Sequence, residues 1–278
     1  MILVADSGST KTNWCYASGE SEPEFYRSDG INPFFRTSAT IVDELQNVLL
    51  PALLGKVKQI YFYGAGVVNE EKAGIVQSAL SELFPGAGCE VKSDLLAAAR
   101  ATLGHSKGIA CILGTGANSC LYDGKQMIKH VPPLGYILGD EGSGTYLGRR
   151  LLADYLKNIM PDKLVERFSA MFPMNYPEFL NSVYQNENVR MFLAGFVPFL
   201  KENIEEQYCQ DLISDSFKAF IDRNVACYPG FERHQVSFTG SVAFHFQEQL
   251  KAELGKQNLQ AGVILKEPLE QLVQYHIR

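Results

Sequence analysis

The residues able to do chemistry gather in a few short segments. Asp6-Ser-Gly-Ser-Thr-Lys-Thr12 puts a carboxylate, a glycine, several hydroxyls and an ammonium into one loop. Backbone N–H groups bared by Gly8 can cradle phosphate oxygens, Thr10 and Lys11 can donate to them, and Asp6 can hold hydrated Mg2+. The same residue types also build a plain solvated β-turn, so this segment alone leaves both readings open. It is not a Walker A loop, because Lys11-Thr12 follows Thr10 instead of glycine. Gly64-Ala-Gly66 does not continue as a dinucleotide fingerprint either, since position 69 is Asn. A second glycine segment, Gly114-Thr-Gly116, repeats the phosphate-sized pattern.

The elements around the first loop follow from hydrophobic spacing. Residues 2–5 form an apolar strand that enters the loop and residues 13–16 one that leaves it, which makes the loop a hairpin tip. A third strand over 24–27 precedes a helix capped near Thr37 or Ser38, with Ile41, Leu45, Val48, Leu49 and Ala52 on one stripe. A strand over 59–63, a helix over 69–83, a short strand near 89–92 and a helix opening at Asp94 complete the order βββαβαβα, an α/β class.

Near residue 107 the pattern restarts. Strands over 108–113 and 119–122 flank the second glycine loop, and Asp123-Gly124 is a hairpin signal. Tyr16 and Tyr122 end matching strands, Gly8 and Gly116 sit in matching loops, and Phe62-Tyr-Gly-Ala-Gly-Val67 pairs with Phe238-Thr-Gly-Ser-Val242. This is an internal duplication, with a helical insertion over about 144–228 in the second half. The expected division is an N-terminal α/β lobe over 1–106, joined by a C-terminal helix within 266–278, and a C-terminal lobe over 107–265. No flexible linker separates them, so two lobes with a cleft are expected.

Composition limits the partners. The chain has 278 residues, 25 Lys+Arg against 31 Asp+Glu and a formal charge of −6, which gives no footprint for nucleic acid or anionic lipid. Its longest apolar run, residues 192–200, is far shorter than a membrane span and carries Pro198. Met1-Ile-Leu-Val-Ala5 followed by Asp6 reads as too short for a signal-peptide core and has no basic leader, so secretion is not expected. Cysteines 15, 89, 111, 120, 209 and 227 form no Cys-x-x-Cys pair, as expected of buried, reduced thiols in a cytoplasmic protein.

Asp6-Ser-Gly-Ser-Thr-Lys11, Gly114-Thr-Gly116, Gly139-Asp-Glu-Gly-Ser-Gly144 and Thr239-Gly-Ser-Val-Ala243, in that order, resemble the N-acetylglucosamine kinase family. Its wider group is the BadF/BadG/BcrA/BcrD-type ATPases, within the superfamily of sugar kinases, actin and heat-shock chaperones. The resemblance covers nearly the whole chain and implies a duplicated ribonuclease-H-like, two-lobed fold. The activity it implies is ATP- and Mg2+-dependent phosphorylation of a hydroxyl of an amino sugar, N-acetylglucosamine or a relative, by in-line transfer in the interlobe cleft.

Carried over residue by residue, the resemblance makes Asp6 the Mg2+-orienting aspartate, with Gly8, Ser9, Thr10 and Lys11 on phosphate oxygens. Gly114, Thr115 and Gly116 become the second phosphate loop, with Thr115 also near the sugar. Asp94 becomes the catalytic base, a role its carboxylate suits by accepting the proton of the attacking hydroxyl; its alternative is a helix N-cap. Asn32, Asp140 and Glu141 become sugar contacts, the last two being alternatively first-turn acids favouring a helix dipole. Gly240 and Ser241 become the adenosine motif, or simply a helix start.

The chain departs from the family in two places. Ile-Leu precede Gly114 and Ala117 follows Gly116 where relatives carry serines, so phosphate binding there rests on backbone and Thr115. Tyr136 stands where sugar kinases carry Trp in the acetamido pocket. Two other activities share these loops. One is an energy-coupling ATPase with an iron–sulfur cluster between subunits, which needs paired thiolates; the other is a regulatory ATPase without sugar chemistry. Homodimerisation is left open.

Overall fold

A computed structural model describes residues 1–8, 10–19 and 22–277 of the chain. They divide into two compact units, Met1–His105 with the segment from Glu267 onward, and Ser106–Lys266.

The first unit holds β1 (Ile2–Ser7), β2 (Lys11–Ala17), β3 (Glu24–Asp29), α1 (Ser38–Val48), α2 (Leu50–Leu53), β4 (Gln59–Gly64), α3 (Glu70–Leu83), β5 (Gly88–Ser93) and α4 (Asp94–Leu103). Its sheet runs β3-β2-β1-β4-β5, with β1, β4 and β5 parallel and the β1-β2-β3 meander antiparallel. Alternation along the strands sends Leu3, Ala5, Ile60 and Phe62 to one face, where they bury completely with Ile41, Leu45, Val76 and Leu80 of α1 and α3. The expected long helix through Ala52 is in fact two. α1 stops at Val48, and α2 restarts with Pro51 in its first turn, because proline has no N–H to continue the ladder.

The second unit holds β6 (Gly108–Leu113), β7 (Ala117–Tyr122) and β8 (Met127–Val131), then α5 (Gly135–Leu138), α6 (Gly144–Leu156), α7 (Asp162–Met171), α8 (Tyr176–Tyr184), α9 (Val189–Ala194), α10 (Val197–Glu202) and α11 (Gln207–Phe220). A π-helical turn, Ile221–Val225, follows, and then β9 (Val236–Thr239), α12 (Ser241–His245), α13 (Gln247–Lys256) and β10 (Ala261–Leu265). The strand order β10-β9-β6-β7-β8 is that of the first sheet read from its other edge, with β6, β9 and β10 parallel. The two units are thus copies of one α/β topology, the duplicated sugar-kinase and actin-like fold.

The inserted helices extend the core of the second sheet with an aromatic cluster. Phe168, fully buried, packs its ring against Tyr155, Phe172, Phe179, Phe196 and Phe199 at centroid separations of 4.5 to 6.3 Å. Emptying such a site by Phe→Ala costs about 3–5 kcal/mol, so this cluster is a main support of the insertion.

The last helix, α14 (Leu269–Ile277), lies on α4, β1 and β2 of the first unit. His276 fixes it there, stacked on Tyr61 with centroids 3.5 Å apart and with Nε2 2.7 Å from the Tyr63 hydroxyl.

Cysteines 15, 111, 120 and 209 are buried and Cys89 is half-buried, but Cys227 is exposed beyond the π-helical turn. Among the described residues, no helix is long and apolar enough to cross a membrane.

Candidate active site

In the first unit, the parallel register aligns Ser7, Gly64 and Ser93, so the carboxyl ends of β1, β4 and β5 share one edge. Ligands of open α/β sheets bind at such edges. The edge carries Asp6, the β1–β2 tip, the Gly64-Ala65-Gly66 turn and Asp94. Ser9 lies outside the described residues. The tip closes as a turn with the Gly8 N–H donating to the Lys11 carbonyl at 2.9 Å, and Thr10 is exposed.

The Asp6 carboxyl is pushed up to about 7, first by burial and then by the negative charges of Asp94 and Glu267, against the pull of Lys11. Asp94 opens α4 but does not cap it. Ser93 is the cap, its Oγ accepting the Leu96 N–H at 3.3 Å. Asp94 uses one oxygen, Oδ1, on the Leu95 N–H at 2.8 Å. Burial raises its carboxyl, and the backbone N–H groups of Leu95 and of Asp94 itself pull partly back. The capping alternative for Asp94 is therefore taken by its neighbour.

Asn32 is brought to the same edge by Ser7, whose Oγ accepts the Ile31 N–H at 3.0 Å. Its side chain lies against the Gly66 backbone, where an added Cβ would come within 2.3 Å of Oδ1; Gly66 also has φ of +83°. Oδ1 accepts the Phe34 N–H at 3.0 Å. Lys11 has its ammonium 2.5 Å from Oε1 of Glu267, while Asn13 Nδ2 donates to Oε2 at 3.2 Å.

The second unit builds a different edge. In its tip the Gly114 N–H donates to the Gly116 carbonyl at 3.0 Å. The carbonyls of Gly114 and Thr115 accept the N–H groups of Gly144 (2.8 Å) and Thr145 (3.1 Å), which seats the tip on the first turn of α6. The N–H groups of Thr115 and Gly116 have no partner among the described residues. Thr115 Oγ1 is 3.7 Å from the Met191 sulfur.

The strand bounds match Gly8 with Gly114 and Thr10 with Gly116, which corrects the pairing of Gly8 with Gly116. The first tip also has one residue more, four between paired Ser7 and Thr12 against three between Leu113 and Ala117.

Asp140 and Glu141 do not lie in the first turn of α6, so the helix-dipole reading fails. Ser143 caps that helix, and the two acids precede it in a turn where Asp140 has φ of +58°. Asp140 is buried against the tip, with Oδ1 accepting the Ala117 N–H at 3.1 Å. Burial raises its carboxyl, opposed by that N–H and by the charges of Arg190 and Arg149. Glu141, also buried, is held from the π-helical turn by Arg223 at 3.5 Å and Asn224 at 3.4 Å. Arg149 donates to the carbonyls of Tyr136 and Ile137, fixing the short α5 before Asp140.

Gly240 has φ of +113°, and a Cβ there would sit 2.4 Å from the Leu113 carbonyl oxygen. Only glycine lets β9 turn into α12 so close to the tip. Ser241 opens α12 and is exposed, so the helix-start reading of this pair holds.

Each edge thus gathers the residues its half of the sequence predicts: Asp6, Gly8, Thr10, Lys11, Asn32 and Asp94 on one, Gly114, Thr115, Gly116, Asp140, Glu141, Gly240 and Ser241 on the other. Sequence reasoning missed Glu267, Arg190, Met191, Arg223 and Asn224. None stands in a recognisable motif, and each reaches its edge only by tertiary packing.

No protein-family model and no curated protein matches the chain. Among solved structures, the putative N-acetylglucosamine kinase of Porphyromonas gingivalis is 42% identical, with a TM-score of 0.95 over 99% of this chain and 98% of that one. The chain belongs to the N-acetylglucosamine kinase family. A second such kinase, the putative enzyme from Chromobacterium violaceum, superposes with a TM-score of 0.77 at 17% identity over 99% of this chain and 98% of that one. The ROK family glucokinase of Streptomyces griseus, solved with glucose and AMPPNP, gives 0.57 at 14% over 99% and 97%. These two likenesses show that the family shares its fold with other sugar kinases.

The donor sets fit the groups that such kinases use. A carboxyl raised to about 7 by burial and by two acidic neighbours favours a cation, whose charge restores the ionised form at neutral pH. Gly114 would meet nothing within 4 Å if it carried a Cβ, so the tip has open space on that side, and the N–H groups of Thr115 and Gly116 are the donors a phosphate would meet there.

Proposed function

We propose that this chain transfers the γ-phosphoryl group of ATP to a hydroxyl of an amino sugar, with N-acetylglucosamine the favoured acceptor. The observation that carries the reading is Asp94. It is a carboxylate at a sheet's carboxyl edge, relieved of capping by Ser93, raised by burial, and fixed through Oδ1 by the Leu95 N–H.

In this reading the Asp94 carboxylate accepts the proton of the attacking hydroxyl as its oxygen bonds to the γ-phosphorus, and ADP departs with the bridging oxygen. Asn32 on the first edge and Asp140 on the second, each with part of its side chain tied to the backbone, are assigned to sugar hydroxyls, as is Thr115. Thr10, Lys11 and the Thr115 and Gly116 N–H groups take phosphate oxygens. The nucleoside lies beside Ser241, on the turn that Gly240 makes possible. Asp6 holds Mg2+, which when bound neutralises charge spreading over the transferred group. Glu141, with both oxygens engaged by Arg223 and Asn224, serves to fix the Asp140 turn as much as to meet the sugar.

The test is ADP formation from ATP and Mg2+ across amino sugars, hexoses and muramic-type sugars. Turnover that depends on an N-acetylated hexosamine supports the proposal. Sugar-independent hydrolysis sinks it and favours a regulatory ATPase.

A further inference from the structure

The chain re-enters the first unit at Glu267. Two residues earlier, the Leu265 carbonyl accepts the Gly240 N–H at 3.0 Å, and one residue later Pro268 leads into α14. Glu267 therefore sits on a short strap tied at one side to the glycine of the proposed nucleoside motif. Both of its carboxylate oxygens turn to the start of β2, Oε1 to the Lys11 ammonium at 2.5 Å and Oε2 to Asn13 Nδ2 at 3.2 Å. Lys11 is the residue assigned to phosphate above, so a protein carboxylate holds the charge that the nucleotide needs. The pair remains open to exchange, the side chains being 39% and 46% exposed.

We propose that Glu267 is an internal stand-in for nucleotide phosphate. It holds Lys11 until the polyphosphate arrives, and the passage of Lys11 from carboxylate to phosphate releases the 266–268 strap. The inference rests on the phosphate role of the first tip. The energies favour it: an exposed ion pair contributes at most about 1 kcal/mol, whereas a polyphosphate offers Lys11 several charged oxygens at once. Glu267 thus costs little affinity while holding the ammonium in one place. It also couples phosphate occupancy to the chain's return segment.

The experiment is calorimetric titration of a non-hydrolysable ATP analogue with Mg2+ into the full chain and its variants. Glu267→Gln removes the charge and keeps the shape, and is expected to tighten binding about three- to fivefold, the range an exposed pair allows. Asn13→Ala, which loosens the other oxygen, tightens it less. In a Lys11→Met background, Glu267→Gln loses most of its effect. Amide exchange across 265–267 speeds up when the analogue binds the wild type, and is already fast in Glu267→Gln.

Weaker or unchanged binding by Glu267→Gln overturns the proposal, as does equal tightening without Lys11, which would be plain charge repulsion. These outcomes leave the nucleotide reading standing. A wild type that fails to bind the analogue overturns both.

Discussion

The two carboxyl edges share a topology but divide the labour. The first concentrates charge: Asp6, Asp94, Lys11 and Glu267 act on one another, and two of the carboxyls are driven upward by burial. The second also holds buried acids, Asp140 and Glu141, with arginines beside them, but its tip is made of backbone: three residues seated on α6 by their carbonyls, with a glycine at φ of +113° under the base. Duplication copied the strands and turns, and each copy then specialised. A sheet edge can present ionisable side chains or open peptide groups, but one short tip has little room for both.

The largest expected effect tests the charged edge. Asp94→Asn keeps shape and the Leu95 bond but cannot take a proton, and turnover should fall about 10²–10⁴-fold with nucleotide affinity retained. Single-turnover kinetics beside a binding titration would check this. Retention of more than about a tenth of wild-type turnover removes Asp94 from the base role.

Next is the backbone edge. Gly240→Ala forces a side chain into a left-handed conformation against the Leu113 carbonyl and should cost about 2–4 kcal/mol in urea unfolding. Gly114→Ala, facing open space, should change stability by less than about 0.5 kcal/mol while weakening nucleotide binding. Equal losses of stability would erase the distinction between a glycine kept for packing and one kept for access.

The charge on Asp6 sharpens the contrast through pH. Its folded carboxyl titrates at about 7 against 3.8 for an ordinary aspartate. Between those values the folded chain holds a proton that the unfolded chain has released, so stability falls as pH rises across this window. Thermal unfolding in the absence of divalent cations should show that slope, and Asp6→Asn should flatten it. Added Mg2+ should recover stability near pH 8 in the wild type but not in the variant.

The smallest effect separates two neighbours. Ser93→Ala removes the α4 cap and should cost about 1 kcal/mol of stability with turnover little changed, the reverse of Asp94→Asn. A Ser93→Ala protein as inactive as Asp94→Asn would mean that the helix start, not the carboxylate, carries the chemistry.

Much of this was legible in the chain itself. Alternation and turn residues outlined the strands, β6 falls on the expected bounds, and α14 lies within the expected 266–278. The repeat of strand–tip–strand exposed the duplication. Other features were not legible, because local signals compete. Pro51 split a stripe that periodicity reads as one helix. Ser93 and Asp94 are both good caps by composition, and only the observed bond to Leu96 chooses between them. Asp140 and Glu141 look like first-turn acids until Ser143 is seen to cap α6.

By itself the sequence determined the order of elements, the duplicated α/β class and the identity of the two glycine tips, because these depend on residue type and near-neighbour spacing. The tertiary structure decided which charges meet. Glu267 reaches Lys11, and Arg223 and Asn224 reach Glu141, across separations in the chain that no local pattern encodes. An electrostatic environment is set by distance and burial in space, and those exist only once the chain has folded.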